Sequence, residues 1–492
     1  MTRRSATRAT TTWARRRPRC RDAVDARASA WRPVAEPAAM TTAESARARS
    51  SALPRHNALV AAAAVAGLAA FGALSLAAAT MRPGSTLVGM AVAALVVTVL
   101  WRVDLALLLV VATGPLELAY NLHVGPLTIT KAAGALCLLS FALNSLRSRR
   151  PLVVDRTQAF VIAILLFAAL STLQARHLNE AVTTTARYAG FVAVFLVITQ
   201  IGGDRKLQER IAWVLVVSAT VLAVVGLQAY FHGKSFVASP AQSNANDFGF
   251  SLATALPFAF WLVRTRLTLR PVVVAMMGTI ATALLLSLSR GTFVGLGAGI
   301  VFLLATERRR FGLIAAAAIV ATIGFVAVVK TDPARFHQAL FAKEHVAQQN
   351  VATRLQAWDA AGNLAAEHPF FGIGPGNFRF YYFAATSTPP GTANLYVVHD
   401  AYIDIAAEVG FGAAIAFILY LTASFLQLGR VIRRRGPAES YARTVRVSLV
   451  IASVCAVFLS EQYFLPFWLL GGLATAMSRE PANDNAALTG GL

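Results

Sequence analysis

Charged side chains at the edges of long apolar runs are the residues of this 492-residue sequence that invite a chemical reading. Ser289-Arg290-Gly291 stands between two such runs with almost no loop. A lone charge near the end of a membrane span commonly snorkels to lipid headgroups. Arg290 is better placed to face a wet cavity, because Gly291 lets the backbone turn tightly and a ligand approach closely. Lys131 and Arg187, near the outer ends of other runs, carry both readings. The segment His399 to Gly410 reads His-Asp-Ala-Tyr-Ile-Asp-Ile-Ala-Ala-Glu-Val-Gly and opens a further run. Asp400, Asp404 and Glu408 recur every four residues, so on a helix they share one face. Acids turned toward lipid are costly, about 2.5–3.5 kcal/mol at a span centre, so this face is expected to turn inward and meet the outer cations. His399 stands at the water boundary. A lone histidine is more often structural than catalytic, yet a neutral imidazole beside a carboxylate is how a general base is built. The adjacent Asp400 is expected to raise its basicity.

A third feature lies upstream. Arg354 and Trp358 are one helical turn apart and precede His368-Pro-Phe-Phe-Gly-Ile-Gly-Pro-Gly-Asn-Phe378. The glycines superficially look like a nucleotide loop, but no strand precedes them. A tight turn that packs an external segment onto a bundle, with its phenylalanines as packing, is the better reading. Arg354 either has a structural role or reaches a phosphate.

What positions these residues is a set of membrane helices. The chain is 57% hydrophobic and only 14% charged, where soluble domains carry about 25% charged residues. Apolar runs long enough to span recur near 57–80, 84–101, 103–120, 127–146, 157–174, 185–201, 211–230, 247–263, 271–288, 292–305, 312–329, 402–428, 444–460 and 464–477. Lipid cannot satisfy open backbone groups, so such runs are helices, and no alternation marks a barrel. The predicted fold is all-α: a polytopic transmembrane bundle of about 12–14 spans with one large, partly helical external loop.

The net charge of +22 reflects topology rather than nucleic-acid binding. Thirteen arginines against four acids fall in the first 55 residues, and short basic clusters follow at Arg147–Arg150, Arg205–Arg210, Arg264–Arg270, Arg308–Arg310 and Arg430–Arg435. With the tail inside, every cluster also falls inside and both termini are cytoplasmic. The expected organisation is an Arg-rich disordered tail over 1–56 (Met40 being an alternative start), a transmembrane bundle over 57–329, an external loop over 330–398 with a short amphipathic helix at 353–366, transmembrane helices over 399–478, and a cytoplasmic tail over 479–492. In that helix Leu355, Trp358 and Leu364 mark the apolar face. Cys20, Cys137 and Cys455 match no metal or disulfide framework, and the latter two read as small buried hydrophobes.

Taken together, these features resemble the O-antigen ligase and O-antigen polymerase family, polytopic bacterial proteins that transfer glycans from an undecaprenyl-diphosphate carrier on the outer face of the cytoplasmic (inner) membrane. Ser289-Arg290-Gly291 looks like the family's Ser-Arg-Gly element. Arg354 with Trp358, followed by His368-Pro369 and the glycine turn to Asn377-Phe378, looks like its large external loop. His399, Ile403, Glu408 and Gly410 look like its His-Asn-x-x-Leu-x-x-x-x-Glu-x-Gly element, with Asp400 departing from the usual Asn. Asn244 and Asn246 resemble its Asn-bearing loop. The likeness spans roughly 100–478 in architecture and 240–412 in motifs.

The resemblance implies an acceptor hydroxyl attacking the sugar carbon bonded to the lipid diphosphate. His399 would take the proton, with Glu408 or Asp400 orienting it. Arg290, Arg187 and Arg354, with Lys131, Asn244 and Asn246, would hold the diphosphate. The acceptor is expected to be lipid A-core or a growing polysaccharide, with no cofactor, no metal and no nucleic acid. Ligase and polymerase differ only in acceptor. A polysaccharide or lipid transporter is the reading from another class, since intramembrane Arg and acids also suit substrate pathways; no inverted repeat supports it. A metal-dependent polyprenyl-monophosphate transferase usually carries an acidic pair in its first external loop. The loops Met81–Gly84 and Asn121–Pro126 hold no acid.

Overall fold

A computed structural model of the chain describes residues 93–479, except 121–122, 125–126, 149–151, 236, 241–242, 307–310, 387–396, 461 and 463. The tail over 1–56, Met40, Cys20, the run 57–80, the start of 84–101, the Arg308–Arg310 cluster and nearly all of the terminal tail lie outside the described residues.

The fold is all-α. Residues 93–101 are helical, and α1 (Val103–Tyr120) follows. A minimal hairpin pairs β1 (His123–Val124) with β2 (Leu127–Thr128) and leads into α2 (Ile129–Ser148). Then come α3 (Arg156–Leu173), α4 (Leu178–Ile201), α5 (Arg205–Phe231), α6 (Ala245–Thr265), α7 (Arg270–Leu286), α8 (Arg290–Thr306) and α9 (Phe311–Thr331). The long α10 (Pro333–Glu367) and short α11 (Phe378–Thr386) precede α12 (Ala401–Glu408), α13 (Phe411–Arg433), α14 (Glu439–Cys455) and α15 (Leu465–Arg479). Helices α1 to α6 and α13 are each long and apolar enough to cross a membrane; α7, α8, α15 and residues 322–331 of α9 are shorter apolar helices. The chain is a multi-pass membrane protein.

Local chemistry explains several boundaries. Asp155 starts α3 through a capping box, accepting from the Thr157 amide while Gln158 accepts from the Asp155 amide. Gln427 of α13 donates to Thr157 at 2.8 Å and to Asp155 at 3.2 Å, which ties α13 to that corner. The centre of the bundle is aromatic: Tyr420 stacks on Trp468 and meets Phe195 edge-on. Along α8, Gly291, Gly295 and Gly299 face α14, and a side chain at Gly295 would run into Cys455. Small residues spaced by four bring two backbones close where no hydrophobic force favours helix association. Cys137 and Cys455 are both free and buried, as small hydrophobes.

Three sequence expectations are corrected. The helix placed at 353–366 is the last part of α10, which begins at an Asp332 cap with Pro333 at its first position. Its earlier half is rich in Ala, Gln and other helix formers without an apolar stripe, so periodicity passed over it. Its inward face is Ala357, Ala361 and Ala365 with Trp358 and Leu364, whereas Leu355 is exposed. The run 402–428 is broken into α12 and α13 at Gly410, whose φ of 100° only glycine adopts readily and where the chain passes against the Phe370 carbonyl. Phe370, expected to pack, is exposed.

Candidate functional site

His399 stands two residues before α12, in a segment that four long-range hydrogen bonds hold in place. The Trp358 indole donates to the Val398 carbonyl at 3.0 Å. The His399 amide donates to Ser460 Oγ at 3.1 Å, and the Ala401 amide to the Ala456 carbonyl at 2.8 Å. The Tyr402 hydroxyl donates to the Ser453 carbonyl at 2.9 Å. The connection is thus clamped between α10 on one side and the end of α14 on the other. His399 itself has φ 56°, left-handed backbone that is uncommon for a side chain bearing a Cβ. Strain of this kind persists where surrounding contacts over-determine it, and it clusters at functional sites.

Arg290 begins α8, and the residue two before it, Leu288, is also left-handed at φ 50°. Between them Ser289 is buried; its hydroxyl donates to Asn246 Oδ1 at 2.8 Å and lies 2.8 Å from the Thr292 hydroxyl. Asn244 caps α6 by accepting from the Asn246 amide at 2.9 Å. The asparagines expected to touch a diphosphate are thus a helix cap and the brace of the turn that presents Arg290. Arg290 is exposed at the N-terminal, electropositive end of α8.

Arg354 joins the two elements electrostatically. Burial, and then the charge of Arg290, lower the hold of Arg354 on its own proton. Burial, and then the charge of Arg354, bring His399 down from 6.5 to about 4. Arg354 therefore stands within the field of Arg290, and His399 within the field of Arg354, which links three separate parts of the sequence through Arg354. Among the described residues no such link to them exists for Lys131 or Arg187, which are exposed on α2 and α4.

The acids behave differently from expectation. Asp400 does not raise the basicity of His399: its carboxylate turns back to cap α12, accepting from the Tyr402 and Ile403 amides at 2.9 and 3.0 Å. Burial raises the Asp400 pKa above its ordinary value, against the lowering effect of these amides. Asp404 accepts from Gln462 Nε2 at 2.6 Å. Glu408 accepts from the Gly376 amide at 2.7 Å and the Phe378 amide at 3.0 Å. All three acids are buried, as the shared face requires, and the partners described for them include backbone amides, Gln462 and Ser460.

Glu408 is the keystone of the glycine turn. The Ile373 and Gly374 amides donate to the Ala407 and Glu408 carbonyls, and Ser171 donates to the Glu408 carbonyl at 2.7 Å. Asn377, fully buried, accepts from the His177 amide at 2.9 Å. Phe380 stacks on His177, and Arg379 pairs with Glu180 at 2.6 Å. The turn therefore packs α10 and α11 onto the α3–α4 corner, and no nucleotide is needed to explain its glycines. Replacing Glu408 with glutamine removes one acceptor oxygen from a buried pair of amides, which costs about 1–3 kcal/mol. The purified variant is expected to melt at a lower temperature and to be cut sooner within 368–380 by a limiting protease; an unchanged melting point would remove this positioning role. Sequence reasoning missed Ser460 and Ala456 altogether, because nothing in their spacing from His399 is periodic.

Among the described residues, no group of three or more His, Cys, Asp or Glu side chains is arranged to hold a metal ion. Comparison with protein families matches residues 272–418 to the one described as O-antigen ligase. No curated protein matches the chain.

Proposed function

We infer from the match of residues 272–418 that the chain is a member of the O-antigen ligase family, and propose that it transfers a glycan from undecaprenyl diphosphate to an acceptor hydroxyl on the outer face of the cytoplasmic membrane. At family level it is a membrane glycosyltransferase; the donor, the acceptor and the roles of single residues are the proposal. The observation that carries it is the trio of Arg290 and His399, each at a strained turn, and Arg354 of α10, whose charge reaches His399 and which feels that of Arg290.

The trio suits a single displacement. The acceptor oxygen attacks the anomeric carbon, its proton passes to His399, and a new glycosidic bond forms as the bond from that carbon to the diphosphate oxygen breaks. The electron pair leaves with the diphosphate, whose growing negative charge Arg290 and Arg354 stabilise. Guanidinium forks match phosphate oxygens in pairs. His399 then returns the proton to solvent or to the departing diphosphate. With no enzyme nucleophile in the path, the anomeric configuration inverts. Arg187 and Lys131 serve as outer cations for the same diphosphate, and Asn244, Asn246, Asp400 and Glu408 as positioning residues.

The test is a reconstituted reaction of purified protein, lipid-diphosphate glycan and candidate acceptors, with chelator and without nucleotide, followed by mass spectrometry. Glycosylated acceptor and released lipid diphosphate in equal amounts are expected. Lipid A-core as the successful acceptor makes the protein a ligase, and a repeat-unit glycan makes it a polymerase. Carrier binding without any transfer would overturn the enzyme reading in favour of transport.

A further inference from the structure

The opposite end of the bundle carries a second basic site that glycan transfer does not use. Helix α13 starts beside the glycine turn, where the Phe411 amide donates to the Pro369 carbonyl, and runs 23 residues to Arg433, about 35 Å at 1.5 Å per residue. Its last turns meet the end of α8 and the first turns of α14. There the Arg446 guanidinium lies 3.9 Å over the Phe425 ring and 5.4 Å from the Phe302 ring. Its Nε is buried and has no hydrogen-bond partner.

Gly429 leaves an opening beside it. A Cβ built there would lie 3.5 Å from Arg446 Nη2 and 3.6 Å from Arg433 Nη1, so both guanidinium groups border the same small gap. Arg443 stands one turn before Arg446 and is held by Glu439 at 2.5 Å. Glu439 is the carboxylate recorded at this cluster, and it is committed to Arg443. Two like charges facing one gap, one of them fixed between aromatic rings and lacking a partner for a buried donor, make a receptor for an anion with several acceptor oxygens. The surroundings indicate what carries that anion. Val301 on α8 and Ile415, Leu419 and Leu426 on α13 are exposed large hydrophobic residues on the two helices that frame the gap. Apolar surface of this kind beside a pair of guanidinium groups fits acyl chains beneath a charged headgroup.

We propose that Arg433 and Arg446 bind the phosphate of an anionic phospholipid, in the leaflet opposite the catalytic trio. Each arginine near a membrane surface contributes to such binding about fivefold in affinity.

The full-length protein, purified in a nonionic detergent, is titrated with phosphatidylglycerol, with phosphatidylcholine of the same acyl chains, and with inorganic diphosphate, and bound species are counted by native mass spectrometry. Preferential retention of phosphatidylglycerol is expected, weakened about fivefold in Arg433→Gln and again in Arg446→Gln, with phosphatidylcholine unaffected. Arg433 is exposed, so its variant carries the test even if Arg446→Gln lowers the melting temperature without lipid. Equal retention of the two lipids, or no loss in Arg433→Gln, overturns the proposal. Displacement of phosphatidylglycerol by stoichiometric diphosphate overturns the lipid assignment and makes the site one for a soluble anion.

Discussion

Replacing His399 with alanine is expected to lower the rate of glycan transfer by about a hundred- to ten-thousandfold, the range for loss of a positioned general base, with carrier binding retained. The pH dependence is the sharper test. A base must be unprotonated, and burial together with Arg354 keeps His399 neutral down to about pH 4. In the free enzyme the acid limb of kcat/KM should therefore fall near 4 rather than near the ordinary histidine value of 6.5. A bound diphosphate neutralises the field of Arg354, which removes one of the two causes of the shift. The acid limb of kcat, which reports the substrate complex, should then lie above that of kcat/KM. Arg354→Gln removes the same charge covalently, and its kcat/KM limb should move upward with no substrate present. The sign for stability agrees. Between 6.5 and about 4 the unfolded chain binds a proton that folded His399 refuses, so stability falls with falling pH across that window and is unaffected above it. Identical acid limbs for wild type and Arg354→Gln would sink the coupling, and full activity of folded His399→Ala would sink the base.

The sequence exposed the ingredients of this arrangement more readily than the joints between them. Apolar run length located α1 to α9 and α13 to α15, because the bilayer leaves a chain few alternatives. The break at Gly410 was harder to see, since apolar residues continue across it and hydropathy averages over a turn. Arg290 and His399 stood out because charge beside lipid demands a reason. Their left-handed backbones did not, because the contacts that impose them come from far away. His399 is held by Ser460, 61 residues on, and the Arg290 turn by Asn246, 43 residues back. Asp400 carries two signals at once. Its i, i+4 relation to Asp404 points to a shared helix face, and an Asp directly before a helical run is also a cap signature. Capping wins because the first amides of a buried helix need acceptors, and this carboxylate supplies two.

Arg290→Ala is expected to cost about a hundred- to a thousandfold in kcat, the range for losing one donor that stabilises transition-state charge, with a smaller rise in KM. The split between the two constants is what the geometry predicts. Negative charge is already present on the bound diphosphate, which any cation holds in the ground state. It increases on the bridging oxygen only as the sugar–oxygen bond breaks, and a cation fixed near that oxygen acts mainly then. Arg290 is fixed in this sense: Leu288 and Ser289 set its turn, Asn246 and Thr292 brace it, and its helix N-terminus adds a dipole of the same sign. Arg290→Lys keeps the charge but loses the planar fork, so it should recover only part of the rate. Asn246→Ala leaves Arg290 in place and removes its brace, and should lower kcat by a smaller factor while the melting temperature changes little. Arg187→Ala, on a helix with no described link to the trio, should chiefly raise KM. Because Arg354 and Arg290 share one field, their double variant should lose less than the product of the single losses. A purely multiplicative result, or a loss confined to KM in Arg290→Ala, would mean that Arg290 only gathers the carrier and that another group meets the leaving diphosphate.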